Sequence, residues 1–367
     1  MKTTILIISI TLIQLTQNLS FGQPLKPGFD KAEYKELMLI SARTTGDTSY
    51  IKQFAEPANF TMTYQSNPIG LDNSWDLWTN NQKMVVISLR GTTQKAESWL
   101  ANFYSAMVPA TGSLKIDASH TFHYELAQNP RAAVHVGWLL SLAYLSREIL
   151  PKIDSCYATG VRDFLLIGHS QGGGINYLLT SHLLNLQSKN MIPKDIRFKT
   201  YCSAGPKPGN LYYAYEFEAA THAGWAYNVV NTADWVPEVP ISIQTLRDFN
   251  AVNPFSHADA IIKSQKFPKN IAARHIFNKL DKPTRKAQRN YEKYLGEMTS
   301  KMIKKQLPEF SPPKYVSSNH YVSTGNTIVL YADSVYYTKF PDENDKIFCH
   351  HAHDAYLFLL DKYEPGK

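Results

Sequence analysis

Five residues constrain this chain more than any others: Gly168-His169-Ser170-Gln171-Gly172. They follow a short apolar run, Phe164–Ile167, and precede a stretch from about Gly173 to Gln187 with apolar residues at helical spacing. G-x-S-x-G in isolation is a weak pattern. Between a strand and a helix it describes a tight turn that lifts a serine hydroxyl above a sheet. The flanking glycines relieve contacts that no side chain could avoid. The same turn aims the backbone N–H of Gln171, at a helix N-terminus, toward the place where an oxyanion forms. Ser170 is therefore the candidate nucleophile. The plainer alternative, a serine that merely caps a helix, does not need the buried strand before it.

The rest of the pattern predicts the sheet on which such a turn sits. Residues 31–42 form an amphipathic helix; Phe60–Tyr64 and Trp75–Trp78 read as strands around a turn rich in Asn, Pro, Gly and Asp. Met84–Leu89 is a continuous apolar run ending in Arg90-Gly91-Thr92, Val134–Ile153 a long helix, and Phe198–Ser203 and Tyr227–Val230 further buried strands. Short apolar strands alternating with helices imply the α/β class, with a mostly parallel central sheet covered by helices on both faces. From about 255 to 310 the chain turns basic and helical, then returns to β, with Tyr321–Tyr331 and Val335–Tyr337 expected to pair as a hairpin. The basic segment reads as an insertion in one domain spanning 23–367.

A net charge of +7 is compatible with a nucleic-acid binder, but its distribution argues otherwise. Lys263 to Lys305 holds thirteen Lys and Arg against Asp281, Glu292 and Glu297, which exceeds the charge of the whole chain. The basicity belongs to a segment, and no nucleic-acid partner is expected. Met1-Lys2, the apolar run to Leu15 and Ser20-Phe21-Gly22 predict a secretory signal peptide over 1–22, hence a secreted or periplasmic protein. No cysteine near that site invites lipid attachment, and no later segment is apolar enough to span a bilayer. Cys156, Cys202 and Cys349 are expected to be free thiols.

A nucleophilic serine needs a base and a group that orients the base, and in this fold class acid and histidine follow the serine in loops after strands. Asp234, in the Asn231–Pro237 loop after Tyr227–Val230, fits the acid. The base is open among His350, His351 and His353, ahead of a final helix from about Asp354 to Tyr363; His320 fits less well. With Cys349 these histidines resemble a metal cluster, but no second cluster at structural-zinc spacing accompanies them, so no metal is expected. Thr92, after the Met84–Leu89 strand, supplies the second oxyanion donor beside Gln171.

These residues resemble the class 3 lipases, the fungal-lipase-like branch of the α/β-hydrolases. Seven ordered blocks carry the resemblance: Ile87–Thr92, Trp99–Phe103, His135–Trp138, Gly168–Gly173, Ala204–Asn210, Asp234–Pro237 and the late histidine. It implies Ser170 as nucleophile, Asp234 as acid, Thr92 with Gln171 as oxyanion hole, and a lid around Trp99–Phe103. Counting back from Tyr356, it implies His351 as the base, with His353 the alternative. The implied partner is a lipid or other ester substrate, hydrolysed through an acyl-enzyme without a cofactor. Alternatives on the same triad are a phospholipase or a soluble-substrate esterase, and outside catalysis a secreted binding module. Residues 112–132 and the basic insertion depart from compact members, and the insertion's cationic face suggests contact with an anionic lipid surface.

Overall fold

Continuous apolar runs make strands buried on both faces, and here they assemble a seven-stranded sheet in a computed structural model that describes residues 25–364. The expected leader over 1–22 lies outside the described residues. The spatial order is Thr61–Gln65, Trp75–Thr79, Met84–Leu89, Asp163–His169, Arg197–Ser203, Ala226–Asn231 and Asn326–Leu330. The first three strands are antiparallel, and from Met84–Leu89 onward all neighbours are parallel.

Alternation along these strands divides two apolar layers. Val85, Ile87, Leu89, Phe164 and Leu166 face the helices Val136–Ala158 and Gln171–Ser188. Val86, Leu165, Ile167, Tyr201 and Val229 face the helices Lys31–Thr44 and His353–Lys362. Lys31 Nζ donates to the carbonyls of Asp361 and Tyr363, and Lys35 pairs with Asp361, so the second layer joins segments far apart in sequence.

Two expectations fail. Tyr321–Tyr331 and Val335–Tyr337 do not form a hairpin: Asn326–Leu330 takes a parallel edge beside Ala226–Asn231, while Tyr321–Val322 pairs with Gly209–Asn210 in a separate four-stranded sheet. Asp333 accepts a hydrogen bond from Tyr336 N–H, an N-cap that starts the helix Ser334–Lys339 over the expected return strand. The long helix also starts later than expected. Ala133–His135 is a short strand, and the His135 ring caps the helix by accepting from Trp138 N–H.

Residues Thr111–Lys115 and Thr121–Glu125 form a hairpin of their own. The basic stretch contains the helices Ala258–Ser264, Lys269–Glu292 and Thr299–Gln306, the last two joined by a π-turn over Lys293–Met298. Among the described residues no helix is long and apolar enough to cross a membrane.

Candidate active site

Ser170 follows the strand Asp163–His169 in a backbone conformation, φ 62° and ψ −131°, that side-chain-bearing residues rarely adopt. Such strain costs on the order of 1–3 kcal/mol and persists only where the surroundings impose it. Ser170 N–H donates to Ser203 O at 3.0 Å on the neighbouring strand, and Ser170 O accepts from Gly174 N–H at 3.1 Å. A Cβ on Gly172 would overlap the carbonyl oxygen of Leu89, and one on Gly168 would overlap that of Gly172. The turn therefore closes only with glycine at both places.

Three histidines of the C-terminal loop diverge. His351 Nδ1 lies 2.7 Å from Asp234 Oδ2. His350 reaches Asp342 Oδ1 and Tyr336 Oη, both at 2.9 Å. His353 begins the last helix and is consumed by Tyr50 Oη at 2.9 Å and Ser41 Oγ at 3.2 Å. Burial, then the neighbouring His351, pushes the His353 imidazole down to about 3. Among the described residues no three His, Cys, Asp or Glu side chains gather as a metal site. His320 lies apart, its backbone N–H on Ser318 Oγ.

Asp234 is buried, and its carboxylate is satisfied by three donors. Oδ2 accepts from His351 Nδ1–H and from the Tyr356 hydroxyl at 2.8 Å; Oδ1 accepts from Val236 N–H at 3.0 Å. With the His351 proton on Nδ1, Nε2 carries a lone pair. That atom is buried and has no hydrogen-bond partner. A buried nitrogen left open in this way is poised to take a proton.

His169, one residue before Ser170, ties the elbow to this histidine. Its Nε2 lies 2.8 Å from the carbonyl oxygen of His351, its Nδ1 3.0 Å from Ser203 Oγ, and Tyr34 Oη is 2.6 Å from the same Oγ. Its ring lies between those of His351 and His353, with centroids at 4.7 and 4.3 Å. Burial, then the two neighbouring imidazoles, holds His169 well below the usual histidine range. As a neutral ring it donates from Nε2 and accepts at Nδ1.

The loop after Met84–Leu89 lies against the elbow: a Cβ on Gly91 would stand 3.0 Å from His169 O and 3.4 Å from Ser170 Cβ. Asp72 clamps this loop, pairing with Arg90 at 3.2 Å and Lys95 at 2.8 Å and accepting from Thr93 Oγ1 at 2.7 Å. Thr92 Oγ1 accepts from Asn102 Nδ2 at 2.9 Å. Asn102 Oδ1 in turn accepts from Gln171 Nε2 at 3.0 Å and Trp138 Nε1 at 3.2 Å. Asn102 thus links Thr92 to Gln171, a role unread in its sequence although the Trp99–Phe103 block was singled out. The helix Ala96–Phe103 is held on its inner side by Ser98 and Asn102. Outward, Trp99 stacks on Phe103 at 5.9 Å and meets Phe348, which also contacts Trp235 at 5.5 Å and His351 at 5.9 Å. Tyr356 enters the sequence reading only as the landmark for counting back to His351; its hydroxyl on Asp234 adds a contact that spacing does not announce.

Residues 86–243 match the family model described as Lipase (class 3). No curated protein matches the chain. Among solved structures it is similar to the triacylglyceride lipase of Rhizomucor miehei, at 17% identity over 59% of this chain and 77% of that one, with a TM-score of 0.43. It is also similar to lipase II from Rhizopus niveus (19% identity, 57% and 74% covered, TM-score 0.42) and to a triacylglycerol lipase from Penicillium expansum (15%, 57% and 74%, 0.41). The matched segment contains the elbow, the Asp234 loop and the Thr92 loop, and it supports a class 3 lipase-type carboxylic ester hydrolase on an α/β-hydrolase-type fold.

Proposed function

We propose that this protein is a lipase that cleaves acylglycerol esters through Ser170, His351 and Asp234. The observation that carries the reading is the state of His351: Nδ1 bonded to a buried carboxylate, Nε2 buried and open. In the acylation step His351 Nε2 takes the Ser170 proton as Oγ attacks the ester carbonyl. Asp234 keeps the imidazole in the tautomer that makes this possible and stabilises the imidazolium that forms. Charge on the carbonyl oxygen meets Gln171 N–H, at the start of a helix, and Thr92. Because Thr92 Oγ1 accepts from Asn102, its own hydroxyl hydrogen is free to donate to that charge. His351 then protonates the departing alcohol, and water activated by the same nitrogen cleaves the acyl-enzyme, returning the proton to Ser170.

The aromatic rings of Trp99, Phe103, Trp235 and Phe348 support an apolar acyl substrate near this histidine. The test is hydrolysis of p-nitrophenyl esters from C2 to C16 by wild type and Ser170→Ala. The expected result is a loss of at least about 10³-fold in the variant and a preference for longer chains. A Ser170→Ala protein as active as wild type refutes the assignment, and an optimum at C2 replaces lipase by esterase.

A further inference from the structure

The long basic helix Lys269–Glu292 turns a two-part face to solvent. Ile276, Leu280 and Pro283 recur at i, i+4 and i+7 and are exposed, Ile276 at 59% and Leu280 at 69%. Beside this stripe, Lys279, Lys282 and Lys286 recur at i, i+3 and i+7 and are exposed as well. Both acids of the helix sit elsewhere: Asp281 is buried and paired with Arg285, and half-buried Glu292 accepts from Gln288.

Single exposed apolar residues are ordinary on any surface. An aliphatic stripe flanked by lysines, with no acid between them, is the pattern of a helix that lies in a bilayer interface. Its apolar edge enters the headgroup boundary and its cations meet anionic lipid. A soluble polyanion would engage the lysines and leave the aliphatic stripe in water.

The helix is rooted close behind the candidate site. Tyr291 Oη accepts from Ser105 Oγ at 3.0 Å, and Leu295 O accepts from Ala106 N–H at 3.2 Å. Ser105 and Ala106 follow, after Tyr104, the helix that carries Trp99 and the exposed Phe103. The next helix, Thr299–Gln306, packs on that same helix and adds exposed Met302.

We propose that the Ile276–Leu280–Pro283 edge, with Lys279, Lys282 and Lys286, docks this protein on bilayer surfaces that contain anionic lipid. This goes beyond the hydrolase reading and does not rest on it.

The experiment is flotation of the full protein with vesicles of phosphatidylcholine alone and of phosphatidylcholine mixed with phosphatidylglycerol, at low and high salt. Retention on a heparin column is measured in parallel. Wild type is expected to float with the mixed vesicles, to float poorly with the neutral ones, and to be released by salt. Lys279→Ala/Lys286→Ala should lower partitioning about 25-fold, each lysine contributing about fivefold. Ile276→Ser/Leu280→Ser should weaken vesicle binding and leave heparin retention unchanged. Equal binding to both vesicle types, insensitivity to salt, or full vesicle binding by the serine variant overturns the proposal; the last outcome makes the face a polyanion site. Both variants should keep the wild-type melting midpoint and short-ester hydrolysis, and single variants Lys279→Ala and Leu280→Ser stand in where a double variant does not. Flotation is read without turnover, so its outcome is separate from that of the ester assay.

Discussion

Acid should unfold this protein through histidines that are buried and neutral, and His353 isolates the effect. Its ring is enclosed by Tyr50, Ser41 and His169, and burial holds it down to about 3. In the unfolded chain it titrates near 6.5. The folded pKa is depressed, so below 6.5 the unfolded state binds a proton that the folded state refuses, and stability falls as pH falls from 6.5 toward 3. Between pH 7 and pH 5 one such residue removes about 2 kcal/mol. That figure depends little on the folded value provided it stays below about 4. His135, down to about 3, and His182, down to about 4, both chiefly by burial, add similar losses, about 6 kcal/mol for the three over this range, and His169, held well below the usual range by burial, adds to that total. The assay is reversible urea unfolding at pH 7, 6 and 5 for wild type and His353→Gln, comparing midpoints at unchanged slope. Glutamine can bond Tyr50 and Ser41 but does not titrate, so the variant should lose about 2 kcal/mol less than wild type. Equal losses in the two proteins would refute the reasoning, as would an NMR titration showing His353 protonated in the folded state at pH 5.

Tyr356→Phe removes a donor from buried Asp234 and an acceptor from Asn231 N–H, and should cost about 2–4 kcal/mol in urea unfolding while leaving measurable ester hydrolysis. Asn102→Ala strips Thr92 of its donor and leaves Gln171 Nε2 with one acceptor fewer; kcat on a soluble ester should fall about tenfold or more with little change in KM. Gly172→Ala drives a methyl into the Leu89 carbonyl, so soluble expression or the melting midpoint should drop by the equivalent of about 3 kcal/mol.

The central strands were legible because parallel strands covered on both faces must be apolar throughout, as in Met84–Leu89 and Phe164–Ile167. The edge of the sheet was not. Asn326–Leu330 and the residues after it are β-prone, and whether Val335–Tyr337 returns as a strand or winds into a helix is decided by Asp333 capping Tyr336. His135 belongs to the same kind of miss: an apolar neighbourhood suggested helix, and its ring acts as the cap. Ser170 and the Asp234 loop were readable from local context, since each sits at the end of an apolar strand. Choosing among three histidines within four residues was beyond spacing alone. Helix onset at His353 turns that ring toward Ser41 and Tyr50, while His351, still in the loop, meets Asp234. Asn102 and Tyr356 act through partners tens of residues away, and no local pattern announces such contacts.

The route of the chain sets the order in which this centre can come into being. The elbow needs only the strands around residue 168, and its acid arrives with Ala226–Asn231. The base waits for residue 351, on a loop held between His169, Asp234 and a helix that docks on Lys31–Thr44. On the proposed reading, Ser170 has no base until the loop ahead of the helix His353–Lys362 is seated, so a chain from which that helix has lifted away should fail to react with serine-directed probes.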